Sequence, residues 1–177
     1  IVSSGVTDVW MPIFLNGYWP YPMEDLLVWK KRFEEKGVAV HALTVPLGHP
    51  GSSLGNDASF DTTPQRWPRS IDVDGKKYSG TSVHPIVTDE NCTAIQKASQ
   101  AGFKKLFLDD DFRLARSPGN IGGCFCPEHQ KEFLSKYGYA ENDWNDLKQN
   151  IRERNLTIVL NSWINFNCDQ LTASFKA

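Results

Sequence analysis

The sequence predicts an α/β fold in which parallel strands alternate with crossover helices. Short apolar segments alternate with amphipathic helical patterns along the 177 residues, and one apolar segment ends in the acidic run Asp109-Asp110-Asp111. Such segments are typical of buried strands, and their alternation with helices favours a parallel sheet. Such a sheet is either an open doubly wound sheet or a (β/α)8 TIM barrel. About four strands are predicted, whereas a whole barrel needs roughly 250 residues. We therefore expect one incomplete barrel domain over residues 1–177, about half a barrel.

The composition is that of an ordinary globular domain and excludes several classes of partner. Hydrophobic residues make up 40% of the chain, charged residues 23%, and the formal net charge is -2. No basic patch suggests a nucleic-acid surface, and no apolar run is long enough to cross a bilayer. The chain starts at Ile1 without a signal-type segment, so the sequence assigns no compartment.

The first half of the chain contains two predicted strands and one long insertion. Strand one is Val9–Leu15, helix one is Met23–Lys36, and strand two is Val38–Val45. The Gly/Pro/Ser/Asp-rich segment 46–85 is much longer than an ordinary strand-to-helix connection, and connections of that length are usually functional or disordered. Inside this insertion, Asp74-Gly75 predicts the turn of a small hairpin.

The second half of the chain repeats the alternation. A helix over Thr88–Gln100 precedes strand three, Lys105–Asp109. Two helices follow, over Pro127–Tyr137 and Glu141–Arg154, and the apolar run Leu156–Asn161 is interpreted as strand four.

The acidic run at the end of strand three is the first candidate site. Strand side chains alternate, so Asp109 and Asp111 point one way and Asp110 the other. Repulsion among the carboxylates favours keeping one of them protonated, as a general acid requires. Arg113 could offset this charge or hold a substrate hydroxyl. The alternatives are a solvated acidic loop and a cation site.

The second candidate site is a metal site at the start of the helix that follows. Cys124, Cys126 and His129 form a C-x-C-x-x-H pattern, and tetrahedral zinc takes such ligands. The fourth ligand must come from elsewhere, with His84 and Cys92 as candidates. The alternatives are two free thiols, or disulfides with the other cysteines. A closed four-ligand site would be structural.

Aromatic and amide side chains at two other strand ends suggest a carbohydrate pocket. Asn16 and Trp19 follow strand one, and Asn161 and Trp163 follow predicted strand four. Sugars are bound by aromatic faces together with planar polar groups, and we expect these four residues to contribute to substrate binding. The alternative is that each tryptophan simply packs in the core.

Two stretches of the chain resemble a known family. The run Leu108-Asp109-Asp110-Asp111-Phe112, with Cys124-Phe125-Cys126-Pro127-Glu128-His129 and Lys131-Glu132-Phe133, resembles the glycoside hydrolase family 42 β-galactosidases and their barrel relatives. In that family, strand four ends in a D-N-E-Y-like run. A C-x-C-x-x-C zinc motif opens the next helix, and an upstream Cys-Pro completes the metal site.

The resemblance implies roles for the acidic run. Asp111 falls where the family has its general acid/base Glu, and Asp110 falls where the family has the preceding Asn, a substrate ligand. Aspartate is one methylene shorter than glutamate, and retaining enzymes hold their two carboxyl groups about 5–5.5 Å apart. The family's nucleophile lies on a later strand, which we expect beyond Ala177.

The resemblance also implies a zinc ligand set. Cys124 and Cys126 match two zinc ligands, and His129 replaces the third. His84-Pro85 falls where the family has its Cys-Pro, so the resemblance favours His84 over Cys92 as the fourth ligand.

The predicted function is hydrolysis of O-glycosidic bonds in the complete protein, with a structural zinc ion and a carbohydrate as the partner. One alternative is a barrel that binds carbohydrate without turnover. Another is a hydrolase in which the three aspartates hold Mg²⁺ or Ca²⁺. A third is a fragment inactive on its own. Open sheet edges are a liability for half a barrel, so we expect a second copy of the chain or the rest of the barrel to cover them.

Overall fold

The structure is a computed structural model that describes residues 2–47, 63–77, 80–109 and 122–177. Three of the predicted site residues, Asp110, Asp111 and Arg113, lie outside this part of the chain. A short 3-10 helix, Val2–Ser4, precedes the main elements. These are β1 (Asp8–Leu15), α1 (Met23–Glu34), β2 (Ala39–Val45), α2 (Pro85–Gln100), β3 (Leu106–Leu108), α3 (Pro127–Tyr137), α4 (Glu141–Glu153) and α5 (Ile158–Lys176).

The three described strands form one parallel sheet in the order β1-β2-β3. Val9 pairs with Val40, and Ala42 pairs with Leu106. Helix α1 connects β1 to β2, and α2 lies in the connection from β2 to β3. The predicted mixed α/β fold with a parallel sheet is confirmed, and the described part of the chain contains three of its strands.

One face of the sheet carries the first hydrophobic core. Because strand side chains alternate, Ile13, Val40 and Ala42 point to the same layer. Helix α1 contributes Leu26 to this core. The buried residues of α2 are Val87, Ala94 and Ala98, whose spacing puts them on one stripe of the helix. Burial of a large aliphatic side chain such as Ile13 contributes about 1.5–3 kcal/mol.

Helices α3, α4 and α5 build a second core that is rich in aromatic rings. Phe133 of α3 is fully buried at its centre, and Trp163 of α5 lies edge-on to it with ring centroids 5.3 Å apart. Trp144 of α4 contacts both rings, at 5.9 Å and 5.3 Å between centroids. Edge-to-face contacts of this kind suit the charge distribution of aromatic rings. Phe125 joins the cluster from the segment before α3.

The predicted fourth strand, Leu156–Asn161, is wrong. Thr157 caps a helix there, because its Oγ1 accepts a hydrogen bond from the backbone N–H of Leu160 at 3.2 Å. Leu156 and Ile158, which a strand through the core would bury in part, are 85% and 80% exposed. The buried side chains of α5 are instead Leu160, Trp163 and Phe166, a helical spacing. A short apolar run cannot be assigned to strand or helix by its periodicity alone.

Several other predictions are confirmed. Ile71 and Lys77 pair as an antiparallel bridge, and Gly75 lies at the turn between them with φ +81°, so the small hairpin exists. Helix α3 has its predicted bounds, while α2 begins earlier than predicted, at Pro85. Proline suits the first helical position because its missing N–H is not needed there.

Within the described ranges, no helix is long and apolar enough to span a membrane.

Candidate metal centre

Four side chains with metal-binding atoms meet next to the second core. His84, Cys124, Cys126 and His129 are all buried, and one ligand atom from each lies within 4.8 Å of the others. These are the four residues of the predicted ligand set, so the group could hold a metal ion. Cys92, the other candidate for the fourth ligand, does not belong to the group. All four cysteines of the chain are free thiols, without a disulfide.

The group is positioned by the starts of two helices. His84 directly precedes α2, and Cys126 caps α3, whose first turn contains His129. The Sγ of Cys126 accepts a hydrogen bond from the backbone N–H of His129 at 3.5 Å. A helix N-terminus carries unpaired N–H groups and a partial positive charge, which stabilise a thiolate. Since α2 and α3 follow β2 and β3, the four ligands lie on the connections from the carboxyl ends of these strands.

Cys124 is held between the hairpin and α5. Its Sγ accepts a hydrogen bond from the backbone N–H of Ile71 at 3.4 Å, and the N–H of Phe125 donates to the Ile71 carbonyl at 2.8 Å. The preceding residue, Gly123, has φ +123°. A Cβ there would lie 2.7 Å from Cζ2 of Trp163, so only glycine fits without displacing the indole. The backbone before Cys124 is thereby placed by packing on α5.

Each histidine has one ring nitrogen beside an oxygen acceptor that does not belong to the group. The Nε2 of His129 lies 2.8 Å from the Val83 carbonyl, and its Nδ1 lies 3.3 Å from Sγ of Cys126. The Nδ1 of His84 lies 3.2 Å from a carboxylate oxygen of Glu128. The Nε2 of His84 is buried and has no hydrogen-bond partner among the described residues. An unsatisfied buried nitrogen costs about 1–3 kcal/mol, and a bound metal would supply the missing partner.

Electrostatics inside the group shift the pKa values of its four members in opposite directions when no metal is bound. The hydrogen bond from Cys124, followed by those from His129, lowers the pKa of Cys126. The same bond and burial raise the pKa of Cys124. Burial opposes a charge on His129, but the hydrogen bond and charge of Cys126 outweigh it and raise the pKa of His129. Burial and then the charge of His129 lower the pKa of His84. A metal ion would replace the shared protons, because only deprotonated ligands bind it.

The carboxyl edge of the sheet carries two of the other predicted residues. The backbone N–H of Asn16, directly after β1, donates to the Val45 carbonyl at 2.8 Å. The N–H of Asp109, directly after β3, donates to the Thr44 carbonyl at 3.0 Å. Asn16 and Asp109 therefore flank the end of β2. Asn16 is buried and in the left-handed region, with φ 48°.

The three aromatic and amide residues predicted alongside Asn16 are in different environments. Trp19 is half-buried against Phe14, with ring centroids 5.3 Å apart, and Lys97 lies 5.2 Å from its ring. Asn161 is exposed on α5. Trp163 is fully buried in the second core, where its indole N–H donates to the Gly122 carbonyl at 3.3 Å. The strand-end placement of Asn161 and Trp163 is therefore wrong, and Trp163 is a packing residue.

Two features of this region were not predicted from the sequence. The first is the contact of Glu128 with His84. The position of Glu128 inside the predicted ligand motif, between Pro127 and His129, could have indicated this contact.

The second is a network around Glu90. Arg66 donates two hydrogen bonds to Glu90, at 2.7 Å each, and a further one to the Gly17 carbonyl. The indole of Trp67 also donates to Glu90, at 2.9 Å. These hydrogen bonds connect the insertion to α2 and to the end of β1. Arg66 and Glu90 are 24 residues apart, so no sequence pattern predicts that they are in contact.

Comparison with protein-family models, with curated proteins and with solved structures finds no match for this chain. The likeness to the family 42 glycoside hydrolases therefore depends only on short motifs between His84 and Phe133.

Proposed function

We propose that the chain binds one zinc ion and that this zinc has a structural role. The observation that carries the proposal is the convergence of four buried ligand atoms, two sulfurs and two ring nitrogens, within 4.8 Å of one another. The Nε2 of His84 supports it, because this buried nitrogen has no hydrogen-bond partner in the described part of the chain and needs one.

The donor set favours zinc over other common metals. Calcium and magnesium prefer oxygen ligands, whereas two thiolates with two imidazoles in a tetrahedral arrangement are typical of zinc. Four protein ligands fill that coordination shell and leave no position for water or substrate. A site of this kind stabilises the fold instead of catalysing a reaction.

A metal at this place would join the two hydrophobic cores. Val83 and Val87, on either side of His84, belong to the first core, while Phe125 and Phe133, on either side of Cys126 and His129, belong to the second. His84 lies 40 residues before Cys124, the first of the three other members of the group. Closing a loop of that length by a metal restricts the unfolded chain and so stabilises the native one.

Metal content is the direct test. Elemental analysis of protein purified without added metal should find about one zinc per chain. The Cys126→Ser variant should lose the metal, while Cys168→Ser should keep it, because Cys168 is exposed and lies outside the group. Protein without metal, in which Cys124 and Cys126 are oxidised, would contradict the proposal.

A second proposal concerns the carboxyl edge of the sheet. We propose that Asp111 is the general acid/base of a glycoside hydrolase-like protein, with Asp110 and Arg113 as substrate ligands. The supporting observation is that Asn16 and Asp109 both lie at the carboxyl edge of the parallel sheet, where α/β proteins bind ligands. The acidic run continues from Asp109.

This second proposal is tested by glycosidase assays on a longer protein that includes the rest of the barrel. The Asp111→Asn change should abolish turnover, while Cys168→Ser should leave it unchanged. Unchanged turnover in Asp111→Asn would contradict the assigned role. Sugar binding without turnover in the unmodified protein would favour a carbohydrate-binding barrel. Activity removed by a chelator and restored by Mg²⁺ would favour a cation-dependent hydrolase.

A further inference from the structure

We infer that Glu128 is a positioning residue of the metal site, which accepts the Nδ1–H of His84 and so aims Nε2 of that ring at the metal. The inference rests on the proposed zinc site. It assigns a function to an exposed carboxylate that contributes no ligand atom to the group of four.

The geometry around His84 carries the inference. A carboxylate oxygen of Glu128 lies 3.2 Å from Nδ1, and the His84 side chain is only 3% exposed. A carboxylate accepts hydrogen bonds and does not donate them when ionised, so the proton of the neutral imidazole is held on Nδ1. The lone pair is then on Nε2, the buried nitrogen without a partner among the described residues. Histidine ligands commonly donate their other N–H to a carboxylate or a carbonyl.

The other histidine of the group has the same arrangement with a different acceptor. The Val83 carbonyl, 2.8 Å from Nε2 of His129, leaves Nδ1 of that ring facing Cys126. The two rings lie 4.6 Å apart between centroids. Each imidazole thus has an acceptor beside one ring nitrogen, which leaves the other nitrogen for the metal. For His129 the acceptor is backbone, whereas for His84 it is a side chain that can be removed.

Glu128 can be changed without disturbing the packing. It lines a cleft of about 260 Å³ together with His84, His129 and Glu132, and its side chain is 72% exposed. Truncation therefore leaves no buried cavity. Glu132 offers a matched control, because its carboxylate lines the same cleft but accepts a hydrogen bond from Gln170 at 2.7 Å.

Zinc affinity, measured by competition with a chromophoric chelator, tests the inference. Glu128→Ala should weaken zinc binding about 10–100-fold, the usual loss when such an outer hydrogen bond is removed. Glu132→Gln should bind zinc like the unmodified protein. In a His84→Ala background, Glu128→Ala should cause no further loss, because the carboxylate acts through that ring. The visible absorption of the Co²⁺-loaded protein should shift in Glu128→Ala, whereas loss of a carboxylate from the first turn of α3 would by itself lower only the stability.

Failure of the zinc proposal and failure of the role proposed for Glu128 give different results. Zinc binding by the unmodified protein with an unchanged affinity in Glu128→Ala would overturn the role of Glu128 alone. An equal loss in Glu132→Gln, or a further loss on the His84→Ala background, would also overturn it, since the effect would then be one of general charge. Unmodified protein that takes up no zinc would overturn both proposals.

Discussion

The backbone N–H of Ile71 donates a hydrogen bond to the Sγ of Cys124, 3.4 Å away. This bond ties the hairpin within the insertion to the candidate metal centre. At the other end of the hairpin, Arg152 of α4 donates to the Asp74 carboxylate at 2.8 Å and to the Val73 carbonyl at 3.0 Å. The hairpin is therefore held between a proposed metal ligand and a helix of the second core.

Metal removal should loosen this hairpin. If zinc holds Cys124, a chelator should raise hydrogen exchange at the amide of Asp72, which donates to Lys76 across the turn at 2.9 Å. Zinc at 100 times its dissociation constant should raise the free energy of unfolding by about 2.7 kcal/mol. Mass spectrometry of exchange and chemical denaturation measure the two effects. The Ala42 amide, which donates to Lys105 in the sheet, is the internal control and should respond less.

The backbone before Cys124 gives a second prediction. Gly123→Ala should destabilise the protein by about 1–3 kcal/mol, because a Cβ would meet Trp163 and Asn167 at 2.7 Å and φ is +123°. It should also weaken metal binding, since it moves the neighbouring ligand. Gly138→Ala is the matched control: its φ of +68° is also unfavourable for alanine, but a Cβ there meets no atom within 4 Å. A loss of metal affinity in Gly138→Ala equal to that in Gly123→Ala would contradict this explanation.

Local signals in the sequence were enough to predict most of the helices and three members of the candidate metal centre. Proline at the first position and Gly138 at the end give α3 its predicted bounds. The spacing from Cys124 to His129 places three candidate ligands around the start of α3. His84, 40 residues upstream, could not be selected by spacing; the family resemblance favoured it over Cys92. The first turn of α5 was assigned to a strand, because a threonine such as Thr157 is favourable both in a strand and as a helix cap.

The correction at α5 predicts opposite effects for two apolar residues that are close in sequence. Trp163→Ala should cost about 3–5 kcal/mol, because it removes a fully buried indole from the second core. Leu156→Ser should change the stability by no more than about 0.5 kcal/mol, because Leu156 is exposed. Chemical denaturation measures both. Destabilisation by Leu156→Ser as large as that by Trp163→Ala would favour the abandoned strand, in which Leu156 would be buried.

The contact between Arg66 and Glu90 predicts a pH-dependent contribution to stability. The hydrogen bonds from Arg66, with a smaller one from Trp67, lower the pKa of Glu90 below its usual value of 4.5. A carboxylate with a lowered pKa in the native state stabilises the protein at higher pH, and this stabilisation is lost as the pH falls through the native pKa. The pair is partly exposed, so we expect about 1 kcal/mol at neutral pH. The glutamine variant Glu90→Gln should therefore be less stable than the unmodified protein at neutral pH.

The difference between these two proteins should shrink as the pH falls below 4.5, because protonated glutamate and glutamine are then alike in charge. Urea denaturation over this range measures it. An Arg66→Gln background supplies the control: most of the effect of Glu90→Gln should vanish there, since the larger hydrogen bonds have gone. A difference that persists unchanged in acid, or that is independent of Arg66, would mean that Glu90 stabilises the insertion by packing and not by its charge.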